Sequence, residues 1–121
     1  MLHLQAQRNL EVFLQRTGVR QFRMEEIMSF NYPDHRLDLA FNENHILMTT
    51  SISLEGANDE AFYLLMDRAG KAPAEAVLRI YSTGHELGIN GALPDTCKAE
   101  SWLRLYQTQR TLISYYRNLR I

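Results

Sequence analysis

Four histidines, one cysteine, two adjacent carboxylate pairs and a spread of arginines are the side chains of this sequence that could do chemistry. His3, His35, His45 and His85 are acid–base or metal-ligand candidates by type. They fall at the start of the chain, in turns or at the beginnings of strands, and no two stand at ligand spacing. Glu25-Glu26 and Asp59-Glu60 would share a proton only if their carboxylates converged, and neighbours in a strand or a first helical turn point apart. Cys97 stands near a helix start, a place where a thiol can be activated as a nucleophile. A small packing residue is the more ordinary use of such a cysteine. Gly84, Gly88 and Gly91 fit neither nucleotide-binding fingerprint. Arg104, Arg110, Arg117 and Arg120, among Tyr106, Tyr115 and Tyr116, are of the types that hold single-stranded nucleic acid by charge and stacking. Arginines are also the ordinary solvated face of a long helix, and a pI near 6.4 speaks against a phosphate-binding surface. The expectation is a protein that is not an enzyme, has no cofactor or metal, and has no nucleic-acid partner.

The elements that must carry these residues are organised around 22–54, which read as three strands and two short turns. Ile27 to Tyr32 alternates, with Met28, Phe30 and Tyr32 on one side and Ile27, Ser29 and Asn31 on the other. Pro33-Asp34-His35 is a turn signal, because proline fixes φ at a corner and aspartate bonds the backbone beyond it. Arg36 to Phe41 alternates charged or small with apolar. Asn42-Glu43-Asn44 turns the chain again, and His45 to Leu54 places Ile46, Met48, Thr50, Ile52 and Leu54 on one side. Connections this short make antiparallel neighbours.

Around this meander stand helices. Leu2 to Thr17 has Leu10, Phe13, Leu14 and Thr17 at helical spacing, with Gly18 as a C-terminal cap. Asn58 is a good N-cap for a second helix, whose first turn holds Asp59 and Glu60 and whose face is Phe62, Leu65, Met66 and Ala69, with Gly70 as its stop. The next stretch admits two readings. Ala74 to Ser82 forms a helix started by Pro73, or Val77 to Tyr81 is a strand that turns at Gly84 into a partner running from Leu87 to Leu93. β-Branched and aromatic content favours the hairpin. Asp95 offers a cap to a final helix running to Leu119, striped by Trp102, Leu105, Tyr106, Gln109, Ile113, Tyr116 and Arg120 and widened by Leu112 and Leu119. The fold class expected is α+β, in the order α-β-β-β-α-β-β-α, a twisted antiparallel sheet packed by helices. The 121 residues suffice for a single domain spanning 1–121.

Charge is segregated along the chain. Residues 1–23 hold four arginines against one glutamate, residues 24–95 twelve acidic against four basic side chains, and residues 96–121 five basic against one acidic. Solvated faces of opposite sign account for this. A lone cysteine fits a reducing compartment. No apolar run reaches the length of a membrane helix, and the first residues lack the order of a signal peptide, so a cytoplasmic protein without membrane insertion is expected. Ile27 and Leu47 put large apolar groups on the side of the sheet opposite Met28, Phe30, Ile46 and Met48. Three helices must then cover both faces, or one face is left for a partner. Semi-exposed single residues are the alternative.

With this order and size, the chain resembles the class I secretion chaperones of bacterial type III systems, the family of the Tir chaperone. The resemblance is carried by Leu14-Gln15-Arg16-Thr17-Gly18, Met28-Ser29-Phe30-Asn31-Tyr32, Arg36-Leu37-Asp38-Leu39, His45-Ile46-Leu47-Met48-Thr49-Thr50, the hairpin around Gly84, and Leu112-Ile113-Ser114-Tyr115-Tyr116. It departs from the family in being near neutral rather than distinctly acidic, and in the shortness of its second helix and following hairpin. The resemblance implies a small homodimer that binds the extended N-terminal segment of a secreted effector without ATP and keeps it competent for secretion. It implies effector-binding grooves at Leu10, Leu14, Ile27, Phe30, Leu37 and Leu39, and a dimer interface at Phe62, Leu65, Met66, Val77, Leu78 and Ile80. On that reading, aspartate at positions 10 and 14 abolishes client binding and spares the dimer. The alternative is a regulatory or interaction module of the same fold, like the YbjN-like cytosolic proteins.

Overall fold

The computed structural model describes residues 3–56, 58–72 and 76–119. Its order is α1 (Leu4–Arg16), β1 (Ile27–Asn31), β2 (Arg36–Asn42), β3 (His45–Ser53), α2 (Asp59–Gly70), β4 (Arg79–Ser82), β5 (Glu86–Pro94) and α3 (Ala99–Leu119). The sheet runs β1-β2-β3-β5-β4, antiparallel throughout. The meander is as expected, and the ambiguous stretch resolves as the hairpin, with β4 starting at Arg79 and Val77 standing exposed ahead of it. The part of the helical alternative at 73–75 lies outside the described residues. So do Leu2 at the head of the first expected helix and Arg120 at the end of the last stripe.

All three helices pack on the sheet face that carries Met28, Leu37, Leu39, Ile46, Met48, Ile52, Leu87, Ile89 and Leu93. The core has two lobes. In one, Leu10, Phe13 and Leu14 of α1 meet Trp102, Leu105 and Tyr106 of α3 over β1–β3. Phe13 stands edge-on to both Trp102 and Tyr106, at 6.0 and 5.8 Å between ring centres. In the other lobe, Ala61, Leu65 and Ala69 of α2 meet Leu112, Ile113 and Tyr116 of α3. At 21 residues, about 32 Å, α3 is the one helix shared by both lobes.

Caps explain where the helices stop and start, with one correction. The Asn58 side chain accepts from the Ala61 amide at 3.0 Å, as a capping residue does. Gly18 takes φ +93° just past α1, a left-handed position that costs glycine nothing. Asp95 does not cap α3, which begins four residues later. Its carboxylate is instead buried and lies 3.3 Å from the His3 imidazole. A tight turn at 95–97 comes between strand and helix, and capping rules read from sequence place a boundary no better than this.

Across the β4–β5 pair, Tyr81 lies opposite Gly88, and a Cβ on Gly88 would fall 2.2 Å from the tyrosine ring. The ring covers the backbone that glycine leaves bare. The Tyr81 hydroxyl donates to Glu86 at 3.2 Å, and burial foremost, then the Glu86 charge, raises its pKa. Gly88→Ala is expected to swing the ring away and break that bond at a cost of about 1 kcal/mol. Thermal melting, together with loss of the raised tyrosine titration in ultraviolet absorbance, checks this.

Candidate functional site

Among the described residues, no helix lies on the sheet's second face. Register places Ile27, Ala40, Leu47 and Ala92 side by side across β1, β2, β3 and β5, a single apolar row. Ile27 is 70% and Leu47 39% exposed. The rows beyond are polar. Arg36 reaches Asp38 at 3.0 Å and Glu86 at 2.8 Å, bonds that hold its guanidinium charged, and Ser29 donates to Asp38. The open face is therefore divided between an apolar end and a hydrogen-bonded, ion-paired end. The outer edge of β1 has no strand paired to it among the described residues, which makes it a place where an added strand can bond.

The expected effector-binding residues are divided by this geometry. Leu10, Leu14, Leu37 and Leu39 are fully buried in the chain's own core. Ile27 faces solvent on the open side, and Phe30 is half-buried on the helix side of the same edge strand. The expected dimer residues divide likewise. Leu65 is fully buried, Phe62, Leu78 and Ile80 are half-buried, and Met66 and Val77 are exposed. Met66 thus leaves the inward face of α2, which is built on Ala61, Leu65 and Ala69. Tyr63 and Leu64, 67% and 43% exposed, join it outside and were not nominated from sequence. A signal for them existed. Ala61 to Met66 is an unbroken apolar run, and a helix on one surface buries only a stripe of it.

A polar group that the sequence pattern did not reveal, with His35 and Tyr106 buried and Asp34 exposed, lies between the β1–β2 turn and α3. His35 Nδ1 is 2.7 Å from Asp34 Oδ1, and its Nε2 is 2.5 Å from the Tyr106 hydroxyl. An ionised carboxylate only accepts, so Nδ1 carries the proton, and the Tyr106 hydroxyl donates to Nε2. Tyr32 stacks on the imidazole at 4.7 Å and donates to the Thr17 carbonyl. Arg117 donates to the Asp34 carbonyl and Arg110 lies over the Tyr106 ring, 5.5 Å from its centre. An Asp–His–Tyr chain is a proton relay in form. Here, however, burial pushes the Tyr106 pKa up, the opposite of what activates a nucleophile. Its work is to tie α1, the turn and α3 together. Among the described residues, no three of the types His, Cys, Asp and Glu converge as metal ligands.

The tie is acid-sensitive through Asp34, whose pKa lies below its ordinary value chiefly because of the hydrogen bond from His35. A depressed carboxylate contributes stability above its unfolded pKa, about 4, and loses it as pH falls through the lower folded value. Melting temperatures of the wild type and of Asp34→Asn are therefore expected to differ at neutral pH and to converge below about pH 4.

This α+β fold, three helices and a five-stranded antiparallel sheet, is similar to that of two solved proteins. One is SycH, a Yersinia pestis type III secretion chaperone, in complex with a stable fragment of YscM2. It is 15% identical with a TM-score of 0.65, over 94% of this chain and 98% of that one. The other is YbjN from E. coli, 14% identical with a TM-score of 0.54, over 96% of this chain and 91% of that one. No curated protein matches the chain by sequence. The SsaM family model matches residues 3–116, and the chain belongs to that family. No helix among the described residues is long and apolar enough to cross a membrane.

Proposed function

We propose that the protein is a cytosolic, non-enzymatic secretion chaperone of a bacterial type III system, which binds the extended N-terminal segment of an effector without ATP and keeps it competent for export. The apolar row on an open sheet face, beside an unpaired β1 edge, carries this reading. A disordered client gains backbone bonds at such an edge and places alternate side chains on such a row, and these gains offset the entropy of its ordering. Ile27 and Phe30 are the contact points, and Leu10, Leu14, Leu37 and Leu39 form the wall behind them. The chain works as a homodimer through the outer side of α2 and the approach to β4. Phe62, Met66 and Val77 meet the partner there, with Leu65, Leu78 and Ile80 supporting them from the core.

The test is capture of partners by the tagged protein in its native host, followed by limited proteolysis and mass spectrometry. One partner, protected only over some tens of residues near its N-terminus, is the expected result. The likeness to YbjN favours a second reading, a regulatory module of the same fold. Capture of a folded regulator, with no protected extended segment, would establish that reading and reject the first.

A further inference from the structure

Where the β2–β3 turn meets the segment leading into β1, a cleft of about 640 Å³ opens on the helix side of the sheet. Its walls are Gln7 of α1, Met24, Phe41 and Asn42, and its rim carries Glu25, Glu26 and Glu43. Met24 and Phe41 are half-buried and pack on the first core lobe, so the floor is apolar and fixed from below. The Phe41 amide donates to the Glu26 carbonyl at 2.8 Å, which fixes the rim segment against β2. The three glutamates are exposed, and none makes an ion pair among the described residues. The cleft and the apolar row lie on opposite faces of the same sheet region, since Phe41 faces the helices and its neighbour Ala40 the open side.

We propose that this cleft docks a basic segment of a protein partner, one large apolar side chain resting on Met24 and Phe41 while flanking lysines or arginines meet Glu25, Glu26 and Glu43. Charge complementarity selects this occupant. Three unneutralised carboxylates around an apolar floor repel an acidic chain and gain from a basic one. An apolar anchor distinguishes docking here from diffuse attraction to an acidic surface. The inference rests on the reading that the chain binds an extended partner segment, and it names the chemistry of that segment. Glu43 adds an independent handle. It occupies the left-handed region at φ +54°, where glycine is the unstrained residue, so this position carries a carboxylate in spite of its backbone.

The experiment uses the full chain and a fluorescent peptide alternating lysine with leucine, followed by anisotropy. Two matched peptides replace either every lysine by glutamate or every leucine by serine. The lysine–leucine peptide is expected to bind, and both controls to bind about tenfold more weakly or not at all. The combined Glu25→Gln, Glu26→Gln and Glu43→Gln variant is expected to melt like the wild type and lose about tenfold in affinity, three exposed charge pairs being worth that much. Glu43→Gly separates binding from folding, because it is expected to raise the melting temperature while weakening the peptide. Undiminished binding by the triple variant overturns the proposal, as does equal binding of the serine peptide. So does a change of oligomeric state in the triple variant on size exclusion, which would assign the cleft to a second copy. A client that is still captured when the peptide fails sinks the cleft alone and leaves the chaperone reading standing.

Discussion

Aspartate at both Leu10 and Leu14 is expected to leave no folded protein at 25 °C. Both side chains are fully buried between α3 and the sheet. Truncating a buried leucine costs about 3 kcal/mol in lost transfer and cavity alone. An unpaired carboxylate in an apolar site adds several kcal/mol more, or is protonated at comparable cost. Two such changes match the whole stability of a domain of this size, about 5–15 kcal/mol. Far-ultraviolet circular dichroism against temperature reads the result, and a cooperative melt near that of the wild type would contradict the burial. Ile27→Asp is the informative surface counterpart. With its side chain in solvent, it is expected to shift stability by no more than about 0.5 kcal/mol, so that any loss of client binding reports the surface itself. The groove expected at positions 10 and 14 is closed by the chain's own last helix, and substitutions there act on the fold before they reach any partner.

Gln109→Met is expected to be the costliest single polar-to-apolar change in the second half of the chain. Gln109 is fully buried in the middle of α3, donates through Nε2 to the Met48 carbonyl at 3.0 Å, and accepts through Oε1 from the Thr50 hydroxyl at 2.7 Å. Methionine fills the same volume and offers neither bond. It leaves a fully buried hydroxyl and a carbonyl short of partners, at about 1–3 kcal/mol for each unsatisfied group. Thr50→Val in the same chain removes the orphaned hydroxyl, so the double variant is expected to be more stable than Gln109→Met alone. The coupling, about 0.5–3 kcal/mol in a double-mutant cycle, is measured by urea unfolding. Strictly additive effects would mean that the two side chains do not cooperate. The pair also has a specifying role, because one polar anchor inside an apolar stripe sets how far α3 may slide along β3.

The meander and its faces were legible because period-2 alternation and two short turns leave one register available. Met28, Phe30, Leu37, Leu39, Ile46 and Met48 all fall where alternation put them. Gln109 was legible as part of the stripe of α3. What periodicity alone left open was 74–82, where the β-branched and aromatic content leaned towards the hairpin that the described residues form, with Tyr81 paired to Gly88. The Asp34–His35–Tyr106 group escaped for a different reason. Its members are 71 residues apart at the furthest bond, and nothing in local spacing tells that a turn histidine lies beneath a distant tyrosine. The candidate surfaces were only half legible. Sequence identifies apolar residues, but whether Leu10 faces a partner or α3 depends on which helix covers which face of the sheet.

The sharing of α3 between both lobes has a consequence for the chain while it is being made. Synthesis delivers α1 and the greasy side of β1–β3 before α3, the helix that completes their cover. Phe13 waits for Trp102 and Tyr106, and Leu65 waits for Leu112 and Tyr116, so neither lobe can close until α3 has left the ribosome. Contacts this distant in sequence form slowly, and an uncovered sheet is the state that aggregates. From β1 to α3 a nascent chain of this design displays an uncovered sheet, and α3 ends that interval for both lobes at once.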